Sequence, residues 1–247
     1  MLNFKKWMIS ESKFMQLDKD QQEDVDLIAD KILEIVQTNS EKDLYVKMFY
    51  QKMLIGEIKR KDGRRPVPVY LKHENTDTFG LYNPKEDEII MNLKTMIKFK
   101  DRKLSGRQIP SIINTLSHEA IHAIDPKFNP QIINPEKMTK KASEKKQYWS
   151  QGNISSYYKS PAEFDAYGMG IVSNIRWKFN KSDEQGKNEV ISGLENLLRT
   201  GDDDIIDVIS KDDYVAMLHW KTKPTLWRKF QQRLFNLLQE LKSEQIT

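Results

Sequence analysis

The sequence predicts an α+β protein, with a small sheet in the middle of the chain and helices added at both ends. Three observations predict it. Short β-rich runs occupy the region between residues 67 and 93. Apolar residues recur at helical spacing on both sides of that region. The length of 247 residues suits one fair-sized domain, or a core domain with an appended helical piece.

The elements follow in chain order. In "DQQEDVDLIADKILEIVQT" (20–38), Val25, Ile28, Ile32, Ile35 and Val36 form one stripe of an amphipathic helix. Residues 43–58 read as a second helix or a mixed segment, and "KRKDGRRP" (59–66) as a basic turn. "VPVYL" (67–71) is a strand. In "TFGLYNPKEDEIIMNL" (78–93), two apolar runs flank Asn83 and Pro84, which are turn residues, so a β-hairpin is expected. A helix follows from about Pro110 to Asp125. Proline is tolerated in a first helical turn, and Pro126 ends the run because the residue before a proline is pushed out of the helical region. Residues 126–160 are rich in Pro, Asn, Lys and Ser and read as an irregular, functional loop region. Helical spacing resumes in 160–179, near 184–199 and 202–210, and in "TLWRKFQQRLFNLLQELK" (225–242). Three stretches of one unit result: an N-terminal helical segment (1–60), a core (61–180) and a C-terminal helical extension (181–247).

Composition narrows the function. Forty cations and thirty-six anions give a net charge of +4, and they are mostly interspersed, which does not indicate a dedicated nucleic-acid binder. No apolar run is long enough to span a membrane, and no apolar stretch behind the N-terminal lysines marks a secretory signal. A cytoplasmic protein is expected. Cysteine is absent, which excludes disulfides, thiolate ligands and thiol nucleophiles.

The chemistry concentrates in "TLSHEAIHAIDPKF" (115–128), which holds two of the four histidines. On a helix, His118 and His122 lie one turn apart, about 40° from each other, so both imidazoles can reach one ion. Ile109, Ile112, Ile113, Leu116 and Ala120 occupy another sector, available to the core. Glu119 is about 100° from His118, beside the ion rather than on it, where it can take a proton from a water polarised by the metal. This is the mechanical content of the H-E-x-x-H pattern: two zinc ligands and a general base.

Zinc needs a third protein ligand, and spacing ranks three candidates. Asp125 faces the same side as His118 but stands at the helix end before Pro126, which also suits a carboxylate that orients a ligand histidine. Glu163, in "SPAEFDAYG", opens a later helix, and Ala166 and Gly170 are small enough to let that helix lie close to the first. Glu163 ranks higher as the direct ligand. The positions where a metzincin would carry its glycine and third ligand hold Asp125 and Phe128, so that pattern fails.

"HEAIHAID" followed by "AEFDAY" resembles the zincin metallopeptidases of the gluzincin type, and is similar to the branch typified by the anthrax lethal factor catalytic domain. The resemblance covers about residues 65–180. It implies a small mixed sheet whose edge strand lies over an active-site helix and binds a polypeptide substrate in extended form. It implies His118, His122 and Glu163 as ligands of Zn²⁺, Glu119 as the base, and Tyr157 or Tyr158 as the group that stabilises the oxyanion. Ala120 and Ile121 depart from the branch, where glycine often precedes the second histidine. The opening "MLNFKKWMISESKF" also resembles small tailed-phage proteins in style. A second expectation is a structural or assembly protein, for instance of a virion, that keeps the fold with a metal site that is vestigial or only binds metal, and meets protein partners through its terminal helices.

Other features carry less. His73 and His219 are isolated histidines, which mostly pack or sit at the surface. "GDDDIID" (201–207) lacks the spacing of a calcium loop. Lys221, Lys223, Arg228, Lys229 and Arg233 read as a solvated basic face of the last helix.

Overall fold

A computed structural model describes residues 16–39, 51–75, 78–97, 108–125, 158–201 and 211–246. The elements are α1 (Lys19–Thr38), β1 (Met53–Ile58), β2 (Val67–Lys72), β3 (Gly80–Asn83), β4 (Glu88–Asn92), α2 (Leu93–Ile97), α3 (Gln108–Ile124), α4 (Pro161–Lys181), α5 (Glu184–Thr200), α6 (Lys211–Lys221) and α7 (Pro224–Ile246). The class is α+β, as expected. The irregular stretch 126–157 and the helix expected at 202–210 lie outside the described residues, and α6 was not anticipated.

The first helix starts on a capping box. The Asp18 carboxylate accepts the Gln21 N–H at 3.0 Å, and the Gln21 side chain accepts the Asp18 N–H at 3.1 Å, satisfying donors that a helix start leaves open. Its apolar stripe Val25, Ile28, Ile32 and Val36 is buried, as the spacing requires.

The sheet has the order β1-β2-β4-β3. β1 and β2 are antiparallel, β2 and β4 parallel, and β4 and β3 antiparallel, so the sheet is mixed. β2 buries alternate residues, the pattern of a strand with one covered face. Every residue of β4 is buried, as in a strand covered on both faces. The expected hairpin forms, and β3 lies at the sheet edge. Residues 53–58 are a strand, not part of a helical segment, so the sheet begins inside the stretch expected to be helical up to residue 60. Gly56 lets α1 pack on β1: a Cβ there would meet Ile28 Cγ1 at 2.7 Å.

α3 and α4 pack against each other more extensively than any other two helices, and α3 also packs on β3 and β4. The C-terminal helices brace α4. Trp220 of α6 is fully buried between Phe164 and Phe230, with ring centroids 4.8 and 5.0 Å apart. Its indole N–H donates to the Tyr158 carbonyl at 2.8 Å. Arg233 of α7 is not part of a solvated basic face. It is buried, it pairs with the Asp165 carboxylate, and it donates to the Asp165 carbonyl at 3.1 Å. No helix among the described residues is long and apolar enough to cross a membrane.

Candidate metal centre

His118 and His122 project from one face of α3, on adjacent turns. Glu163 comes from the first turn of α4. Ser160 caps that helix, its hydroxyl accepting the Glu163 N–H at 3.4 Å, and Pro161 stands in the first turn, where it sacrifices no hydrogen bond. The close approach of α4 to α3 depends on small residues. Ala166 is fully buried, and a Cβ on Gly170 would fall 1.7 Å from Asn114 Oδ1.

The three side chains converge. His118 Nε2 lies 3.0 Å from His122 Nε2 and 3.3 Å from Glu163 Oε2, and His122 Nε2 lies 3.8 Å from the same oxygen. Ligand atoms about 2.0–2.1 Å from a tetrahedral ion stand about 3.3 Å from one another, so this triangle has the size of one face of such a site. Two imidazole nitrogens and a carboxylate oxygen are also a donor set suited to a divalent metal. All three residues are buried, with relative exposures of 6%, 7% and 9%. Burial alone would raise the Glu163 pKa. The His118 and His122 imidazoles facing the carboxylate outweigh it and hold the carboxyl well below its ordinary value. The group can bind a metal ion.

Glu119 and Asp125 are not members of this converging group. Glu119 is half-buried, and its Oε2 accepts the Tyr82 backbone N–H at 2.8 Å. That donor points away from the sheet. Phe79 carbonyl accepts the Asn92 N–H at 2.7 Å, so by the antiparallel alternation Leu81 and Asn83 face β4 and Tyr82 faces outward. Asp125 is buried just beyond the end of α3, where its N–H donates to the Ile121 carbonyl at 3.0 Å.

Of the expected tyrosines, Tyr157 lies outside the described residues. Tyr158 is buried, stacked on His219 with centroids 5.3 Å apart. Among the described residues Tyr167 packs against His118, its centroid 4.5 Å from that of His118 and 5.1 Å from that of Tyr158. Sequence reasoning missed Tyr167. The available signal was its place four residues after Glu163, on the same face of α4.

Also missed was a polar chain behind Glu119. Tyr82 Oη donates to Asp87 Oδ1 at 2.8 Å. Arg60 grips the Asp87 carboxylate with two hydrogen bonds of 2.8 and 2.6 Å, and its Nη2 also donates to the Ala123 carbonyl at 2.7 Å. Arg64 donates to the Ile124 carbonyl at 3.0 Å. Two guanidinium groups thus satisfy carbonyls at the α3 C-terminus, where positive charge is favoured. The Arg60 hydrogen bonds, against the cost of partial burial, bring the Asp87 pKa down to about 2.

No protein-family model, curated protein or solved structure matches this chain.

Proposed function

We propose that the chain is a zinc-dependent metallopeptidase of the zincin type. One observation carries the reading. The two histidines and Glu163 close on a single point, while Glu119, next to His118 in sequence, is held outside that point on a backbone amide of the edge strand. A glutamate next to a converging histidine in sequence, outside the cluster and bonded to the edge strand, supports the reading of a general base.

A zinc ion held by His118, His122 and Glu163 would acidify a water and polarise a peptide carbonyl. Glu119 takes the proton of the attacking water and returns it to the leaving amine. The Tyr82 N–H restrains the carboxylate in the meantime. β3 lies at the sheet edge beside α3; its Tyr82 N–H is taken by Glu119, so an extended polypeptide would pair with the other outward-facing groups of the strand. Asp125 orients a ligand histidine. By the resemblance, Tyr157 or Tyr158 of this chain supplies the oxyanion donor, and Tyr167 shapes the wall next to His118.

The test is Glu119→Gln, measured on dye-labelled unfolded casein. The variant is expected to keep its zinc and lose hydrolysis by several orders of magnitude. Loss of zinc, or unchanged cleavage, contradicts the assignment. Zinc binding by a wild-type protein that cleaves nothing favours the assembly module instead.

A further inference from the structure

Glu119 is one end of a closed circuit that leaves α3 and returns to it. It runs from Glu119 to the Tyr82 N–H, through the Tyr82 hydroxyl to Asp87, then to Arg60 and back to the Ala123 carbonyl. Ala123 lies one turn beyond Glu119 on the same helix. The hairpin is therefore fastened to α3 at two points, one of which is the proposed base.

Asp87 is the informative member. Its φ is 56°, the only positive φ at a non-glycine among the described residues. At the end of a hairpin turn such a backbone favours glycine, with asparagine and aspartate the side chains that adopt it most readily. An aspartate here keeps only a small backbone cost relative to glycine, and its carboxylate meets both terminal nitrogens of Arg60 and the Tyr82 hydroxyl. The Arg60 side chain is only 1% exposed, so the pair is not a surface ornament.

We propose that Asp87, with Arg60, is a positioning residue for the base: it sets β3 against α3 so that the Tyr82 N–H holds the Glu119 carboxylate in place. The proposal deepens the peptidase reading and rests on it for the catalytic consequence, but the positioning itself can be measured without turnover. The competing account is that Asp87 merely shapes the turn.

The experiment compares Asp87→Gly, Asp87→Asn and Tyr82→Phe with the wild type. Glycine relieves the backbone, asparagine keeps the side-chain shape, and phenylalanine removes only the hydroxyl link. Amide hydrogen exchange is followed residue by residue by NMR on the protein with and without added zinc. The Tyr82 amide is expected to exchange at least about tenfold faster in all three variants, while the Asn92 amide, bonded to Phe79, stays protected. Zinc stoichiometry should not change. The kcat for labelled casein should fall roughly 10- to 100-fold, because a base displaced by a fraction of an ångström loses its alignment. Wild-type exchange at Tyr82 in Asp87→Gly overturns the proposal, as does acceleration spread equally over Tyr82 and Asn92. If Asp87 variants do not fold, Tyr82→Phe decides alone: slow exchange there means the hydroxyl link positions nothing. Failure of the wild type to cleave casein counts against the peptidase reading, and the exchange data still decide the positioning.

Discussion

Gly170 and Asn114 are so close that a single methyl group could not stand between them: a Cβ on Gly170 would lie 1.7 Å from Asn114 Oδ1 and 3.4 Å from its Cα. Since α3 carries both histidines and α4 carries Glu163, this contact sets the width of the metal triangle. Gly170→Ala should destabilise the fold by about 1–3 kcal/mol, the usual penalty for overpacking, although alanine is the better helix former. Zinc affinity should fall with it. Urea unfolding and a zinc titration check both effects. Unchanged stability with unchanged affinity would mean that the helices are not held at this distance.

The three converging side chains were legible because their signal is local. His118 and His122 share a helix turn, and Glu163 sits ahead of Ala166 and Gly170 on a helix built to pack closely. The missed parts depend on residues far apart in sequence. Arg60 reaches Asp87 across 27 positions and Ala123 across 63, and neither segment signals the other. Arg233 reads as a solvated cation because its partner, Asp165, lies 68 residues earlier. β1 escaped for a different reason. Its register shifts between Leu54 and Gly56, which breaks the two-residue alternation by which a strand is recognised.

Glu163 and Asp125 separate by role. Glu163 contributes an oxygen to the triangle, and Asp125 does not. Glu163→Gln should therefore cost far more zinc affinity than Asp125→Asn, which should weaken it by about 10–100-fold if the carboxylate orients a ligand histidine. Paired titrations against a chromophoric chelator measure this. Abolished binding in Asp125→Asn with intact binding in Glu163→Gln reverses the assignment.

Asp26 makes a pH-dependent prediction away from the metal. Burial, against the Gln22 hydrogen bond and the positive charge of Arg176, raises its pKa from 3.8 to about 6. The folded state then binds the proton more tightly than the unfolded chain does. Its ionisation costs no stability below pH 3.8, and the cost grows as the pH rises toward 6. Asp26→Asn should raise stability at pH 7 by about 1–2 kcal/mol, less than the full shift because the carboxyl keeps some solvent. The gain should vanish at acid pH. Equal urea midpoints at pH 7, or a gain that persists in acid, contradict this.

The central claim is a zinc site made by α3 and α4. Its most direct test is the metal content of protein purified without a histidine tag, measured by elemental analysis beside the His118→Ala, His122→Ala double variant. The account predicts about one zinc per wild-type chain and none in the variant. A wild-type protein that holds no zinc after dialysis against the ion, or a variant that holds as much as the wild type, would contradict it.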